Sequence, residues 1–235
     1  CIRARAAKVS NPRTPKQQEQ RGKFATAFSF LKAIKPFIRI GYKEFTQKKS
    51  AFNSAMSYTL KRAVTGSGKE IKIDFDRALV SMGTLMPIFE GAATVSNHQM
   101  TFNWKDNSGM GNAERTDIVM VLVYNKDREA AVYDTEAALR SDCHAGLQLP
   151  EDWQDDELVA YLSFCSTDGN CVANSICLPI SVIEIPEEEI DVQTESIDTT
   201  HKRILPDKRT VHQSRITVHS LSAPPNEIQT YRCET

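Results

Sequence analysis

The chain has 235 residues, of which 40% are hydrophobic and 25% charged. That length allows one large domain or two small ones, and the composition excludes a disordered or fibrous class; no apolar run reaches the ~18 residues that a membrane-crossing helix needs. The formal net charge of -1 conceals a sorting: residues 1–69 hold 16 Lys and Arg against two acids, Glu19 and Glu44, a net +14, while residues 70–235 hold 13 against 28, a net -15.

Taken in chain order, Cys1–Ser10 alternates Ile2, Ala4 and Ala6 with Arg3 and Arg5, which predicts a strand end or an extended arm. The chain opens at Cys1 rather than Met, so an incomplete or processed N-terminus is expected. Thr14-Pro15-Lys16-Gln17 reads as a helix start: a hydroxyl cap, proline in the first turn, and glutamine three residues on to close a capping box. Phe24, Phe28 and Leu31 then recur at spacings of four and three, and this stripe is expected to face the core. Pro36 ends or kinks the helix near Ile34 or Lys35, and a second helix is expected to carry Phe37, Ile40 and Phe45 near one side. Ser50 caps a third helix over Ala51–Val64, with Phe52, Met56 and Leu60 inward; Thr65-Gly66-Ser67-Gly68 stops it.

Gly66-Ser67-Gly68-Lys69 is not a phosphate loop. Ala63 stands where that motif needs its first glycine, and Glu70 where it needs a hydroxyl. Glu70–Phe75 alternates Ile71, Ile73 and Phe75 with charges, as a half-buried strand does. From Gly91 the pattern becomes all-β. Gln99–Trp104 places Met100, Phe102 and Trp104 on one face, Asn107–Asp117 is a polar loop, and Ile118–Tyr124 is a continuous apolar strand, hence central. Further strands are expected at Ala130–Tyr133, Ala145–Leu149, Leu158–Cys165 and Cys171–Leu178, with a corner at Pro150–Asp156 and one more strand at Ile180–Ile185. Short strands at this spacing predict a β-sandwich. The fold class is therefore α+β: a helical N-terminal part (1–69), a strand and connection (70–90), an antiparallel fibronectin III- or immunoglobulin-like sandwich (91–180), and an acidic, polar tail (181–235) read as poorly ordered or as an added ribbon.

No catalytic or metal site emerges. The six cysteines (Cys1, Cys143, Cys165, Cys171, Cys177, Cys233) form no C-x-x-C pair, and the histidines show no zinc-ligand spacing beside them. A hairpin turn at Asp168-Gly169 sets Cys165 opposite Val172 and Cys171 opposite Ser166. The two thiols then point to opposite sheet faces, which disfavours a Cys165–Cys171 disulfide; mostly free, buried thiols and a reducing compartment are expected. Cys143-His144 and Ser166 near Asp168 sit in no recognisable nucleophile elbow. The acids Glu151, Asp152, Asp155, Asp156 and Glu157 lack the ordered spacing of a calcium loop, and a solvated corner is expected there.

Three stretches together, Arg3–Lys43 with its Asn-Pro-x-Thr-x-x-Gln segment at Asn11–Gln17, Ala51–Gly66, and Trp104–Asp117 followed by Val121–Asn125 and Leu149–Trp153, carry a resemblance. They resemble a family of uncharacterised bacterial proteins common in Bacteroidota, over roughly Cys1 to Leu178. Similar basic segments also resemble those of phage structural proteins. The resemblance implies helices followed by a fibronectin-like end; it implies no activity, cofactor or site. This chain lacks the family's Gly-rich start, and its tail after Pro179 departs from the pattern.

The reading is thus a non-catalytic structural or protein-interaction module with no cofactor and no evident small-molecule substrate. It engages a protein partner or a second copy, in the cytoplasm or in a virion-type assembly. Arg3, Arg5, Lys8, Arg13, Lys16, Arg21 and Lys23 are the expected anion or partner contacts. The alternative is sequence-nonspecific nucleic-acid binding through the same residues.

Overall fold

The computed structural model describes residues 14–182 apart from Lys48. The expectations for the N-terminal arm and for the tail beyond Val182 lie outside these residues. α1 (Pro15–Ala33) begins as its sequence requires: Gln17 N donates to Thr14 Oγ1 at 3.4 Å, and Thr14 N donates back to Gln17 Oε1 at 3.4 Å. It breaks at Ile34, one residue before α2 (Lys35–Gly41), which carries Pro36 in its first turn. α3 (Ala51–Arg62) starts at Ser50, whose Oγ accepts from Asn53 N at 3.2 Å. Two residues later β1 (Val64–Thr65) pairs with β2 (Lys72–Ile73). The Gly66–Gly68 stretch, expected as a simple helix stop, is therefore the loop of a short ribbon, with both glycines at positive φ. The strand expected over Glu70–Phe75 shrinks to two residues, because Phe75 turns inward onto Phe30 and Tyr124.

The sandwich follows: β3 (Gly91–Ser96), β4 (Gln99–Trp104), β5 (Ile118–Asn125), β6 (Ala130–Leu139), β7 (His144–Gln148), β8 (Leu158–Cys165), β9 (Ile176–Leu178) and β10 (Ile180–Val182). One sheet has the order β10-β3-β4-β7 and the other β6-β5-β8-β9. All pairs are antiparallel except β10 with β3. The α+β class with a β-sandwich thus holds. The hairpin after β8 has the expected register, with Cys165 opposite Val172 and Ser166 N donating to Cys171 O at 2.9 Å.

The second sheet has no solvent face along its central strands. On β5, Val119, Val121 and Val123 enter the core between the sheets, while Met120, Leu122 and Tyr124 enter a second core under the helices. β8 divides the same way: Ala160, Leu162 and Phe164 to one side, Val159, Tyr161 and Cys165 to the other. Period-two alternation with two apolar faces is what a strand buried on both sides must show. The helices supply Ala27, Phe30, Leu31, Ile34, Phe37 and Ile38, all at most 1% exposed.

That list corrects the expected stripe on α1. Phe24 and Phe28 are 51% and 43% exposed, and the inward face is Ala27, Phe30, Leu31 and Ile34. Leu31 belongs to both spacings, so periodicity allowed either face. Phe45 is likewise exposed, because α2 ends at Gly41 before it can carry Phe45 inward.

Thr59 sits on the buried face of α3, and among the described residues its hydroxyl meets no partner. Thr59→Val keeps the shape and removes the unsatisfied group, so it is expected to raise stability by about 1 kcal/mol, read as a higher midpoint in urea.

Candidate docking surface of the helical layer

Sequence fixes the helical layer to the sandwich through polar latches as well as through its core. Tyr42 donates its hydroxyl to Leu79 O at 2.9 Å, and burial pushes its ionisation up. Tyr161 on β8 donates to Phe75 O at 2.8 Å and is raised for the same reason. Glu44, one of the two acids in the first 69 residues, has both carboxylate oxygens occupied. Oε1 accepts from Thr84 N (3.1 Å) and Val172 N (2.8 Å), and Oε2 accepts from the Thr84 hydroxyl (3.0 Å). Gly83 makes room for it, since a Cβ there would stand 2.1 Å from Glu44 Oε1. Beside this latch, the buried Ser81 and Ser163 hydroxyls lie 2.6 Å apart, and Ser175 Oγ accepts from Val80 N at 2.9 Å. The other acid, Glu19, pairs with Lys23 at 2.8 Å, one helical turn on.

With both acids spent, the outward face of the layer stays positive. Among the described residues, Lys16, Lys32, Lys35, Arg39, Lys49, Lys61 and Arg62 are exposed and have no acidic partner within 4.0 Å. On α1, Gln17, Arg21, Phe24, Phe28 and Lys32 follow one another at spacings of four, three, four and four, which places them on a single stripe. Phe24 and Phe28 stack with centroids 6.2 Å apart, and Phe28 meets Phe52 of α3 edge-on at 5.8 Å. Half-exposed rings beside Lys32, which has no acidic partner among the described residues, form the kind of patch that marks an interaction surface.

Of the residues expected from sequence, Lys16 lies on this positive surface, Arg21 on the ring stripe, and Lys23 is paired with Glu19. Arg3, Arg5, Lys8 and Arg13 lie outside the described residues. The cations of α2 and α3 were missed, although their alternation with the apolar positions of those helices was there to be read.

The other polar clusters are engaged within the fold. At one end of the sandwich Arg140 is fully buried. Its Nε donates to Asp117 Oδ2 (2.9 Å), Nη1 to Asn107 Oδ1 (2.6 Å) and Nη2 to Met86 O (2.9 Å), and its guanidinium lies 3.7 Å over the Phe164 ring. Burial pulls its ionisation down while Asp117 holds it up. At the other end, Arg128 pairs with Asp152 and Asp156 at 2.5 Å each, and Lys126 pairs with Glu157. Hydrogen bonds from Asn125 and Arg128 hold the Asp156 carboxyl below the usual range. Among the described residues no group of three or more His, Cys, Asp or Glu is placed to hold a metal ion. Cys143 caps a turn in the left-handed region (φ 62), with Sγ 3.5 Å from Ser141 O, while His144 Nδ1 lies 2.8 Å from Asp142 O. Ser166 donates to Asp168 Oδ1 at 2.5 Å inside the hairpin turn.

The Glu44 latch gives a graded expectation. Glu44→Ala orphans the Val172 and Thr84 amides and should cost about 1–3 kcal/mol, whereas Glu44→Gln should cost less, because Thr84 Oγ1 can turn to accept from the new amide. Chemical denaturation of the two variants checks the order.

Comparison with known proteins places the chain. No curated protein and no solved structure gives a match. Residues 1–179 match a family of unknown function, DUF6266, in line with the uncharacterised family that the sequence resembles. The match covers well over half of the chain, and the protein belongs to DUF6266.

Proposed function

We propose that this chain is a non-catalytic structural or interaction module whose helical layer docks onto an acidic protein surface, either a partner's or that of a second copy. The observation that carries the reading is the outward face of that layer, where seven cations stand without acidic partners among the described residues, beside the Phe24–Phe28 stack. A second copy is a chemically suitable partner: over the described span 70–182 the sequence holds 18 acids against 7 Lys and Arg. A contact between unlike surfaces of identical copies is head-to-tail, the geometry that builds rings or filaments. The role is of the kind used in a bacterial or phage assembly, as a member of a Bacteroidota-type family would use it.

The sandwich is read as fibronectin type III-like. Two packed four-stranded sheets, β10-β3-β4-β7 and β6-β5-β8-β9, antiparallel except where β10 joins β3, support this. A fold of that kind commonly serves as a spacer or adaptor without carrying chemistry.

Sequence-nonspecific nucleic-acid binding is the second reading, favoured by stacked rings flanked by Arg21 and Lys32. Retention of duplex and single-stranded DNA on a filter at low salt separates it from the first.

Docking through exposed charge must weaken as ions screen it. Sedimentation velocity of the full chain should show association at about 50 mM salt that is lost by about 500 mM. Profiles that coincide at the two salt concentrations, for the chain alone and with an acidic partner protein, would contradict the proposal.

A further inference from the structure

We infer that the groove beside α3 is the seat of an extended acidic peptide segment, about five or six residues long, with an apolar side chain as its anchor. The inference rests on the docking reading above and locates it.

The groove has a volume of about 550 Å³. One wall is a stripe of α3: Ser54, Ser57, Tyr58, Lys61 and Arg62, at successive spacings of three, one, three and one. This stripe lies away from the buried face formed by Ala51, Ala55, Met56 and Thr59. Glu44, Phe45, Gln47 and Lys49 line the facing side, and Ser54 ties it to α3 by donating to Phe45 O at 3.0 Å. Phe45, 42% exposed, and Met82 provide an apolar floor.

The charge of the groove has one sign. Lys49 stands at one end and Lys61 and Arg62 at the other, all exposed and without acidic partners among the described residues. Lys61 and Arg62 also suit the last turn of a helix, where the dipole favours cations; that accounts for their tolerance in α3 but not for Lys49. Among the described residues the one acid lining the groove, Glu44, is committed to Thr84 and Val172 and leaves the groove uncompensated. Between the cations, the Ser57 and Tyr58 hydroxyls line the groove and make no side-chain hydrogen bond among the described residues, so both can donate to carboxylates or backbone carbonyls.

Length selects the ligand. α3 runs from Ala51 to Arg62, eleven steps of the helical rise or about 17 Å, with Lys49 just before its start. An extended segment at about 3.3 Å per residue covers that span with five or six residues. Carboxylates near its two ends reach the two cationic ends, and a side chain between them reaches Phe45 and Met82. A small molecule would be left largely uncovered in so open a groove. Single-stranded nucleic acid prefers successive stacked rings; among the described residues that stack belongs to α1, not to this groove.

The test is the anisotropy of a fluorescein-labelled hexapeptide alternating glutamate and phenylalanine, titrated with the full chain at low salt. Saturable binding is expected. The double variant Lys61→Glu/Arg62→Glu should weaken it by about tenfold or more, while Lys32→Glu on α1 should change it by less than about twofold. All three side chains are exposed, so unchanged far-UV dichroism and melting temperature confirm that the variants fold. No saturable binding, an equal loss in Lys32→Glu, or displacement of the peptide by oligothymidylate at lower concentration than by unlabelled peptide would each overturn the groove assignment. If the peptide fails to bind while salt-dependent association persists, the groove assignment falls alone; if both are absent, the docking reading falls with it.

Discussion

The sheet β6-β5-β8-β9 is the constraint on which the structure depends, because its central strands have apolar side chains on both faces and no water on either. A sandwich needs only one buried face per sheet. The second face, with Met120, Leu122, Tyr124, Val159 and Tyr161, must be covered, and the three helices cover it. Each helix spends a buried apolar face on that sheet, and α1 also carries the exposed Phe24–Phe28 stripe. Tyr124 shows how closely the layers meet: Phe30 and Phe75 pack around it at 5.0 and 5.6 Å, and burial raises its hydroxyl to about 12.

This arrangement explains where charge can stand. Cations cannot sit between helix and sheet, so they are driven to the outer side of α1, α2 and α3, where the two available acids are already engaged. The sandwich treats its own charges differently. Arg140 is enclosed with Asp117, Asn107 and Met86 O, each of its three guanidinium nitrogens donating a hydrogen bond, so that the cost of removing the group from water is offset inside the fold. Arg128 closes the corner at Asp152 and Asp156. The contrast lies in the cations: Lys105, Lys126, Arg128 and Arg140 of the sandwich pair with its own acids, whereas seven cations of the helical layer face solvent without an acidic partner among the described residues.

Local signals were legible in the sequence. Thr14 with Gln17, Pro36 and Ser50 mark helix boundaries through caps and a ring, which need no distant partner, and the continuous run Ile118–Tyr124 marks a strand buried on both faces. What could not be read depended on distance. The inward face of α1 turns on Ala27, whose small side chain allows close approach to the sheet; the larger rings of Phe24 and Phe28 pointed to the neighbouring stripe. Arg140 carried no local sign of burial, since Asp117, Asn107 and Met86 reach it from 23 to 54 residues away. The groove beside α3 was similarly hidden. The sequence shows Lys61 and Arg62 as an exposed pair, but Met82 and the Glu44 latch that shape the site come together only in the fold.

A docking platform must be rigid, and here rigidity comes from a sheet shared by two cores. Both tryptophans, Trp104 and Trp153, report on the sandwich, while helical dichroism reports mainly on the layer that covers it. Equilibrium unfolding in urea followed by both signals tests the claim directly. Coincident transitions with one midpoint are predicted; helical signal lost at lower urea, with tryptophan emission still native, would show that the layer is a separable attachment and would contradict the account.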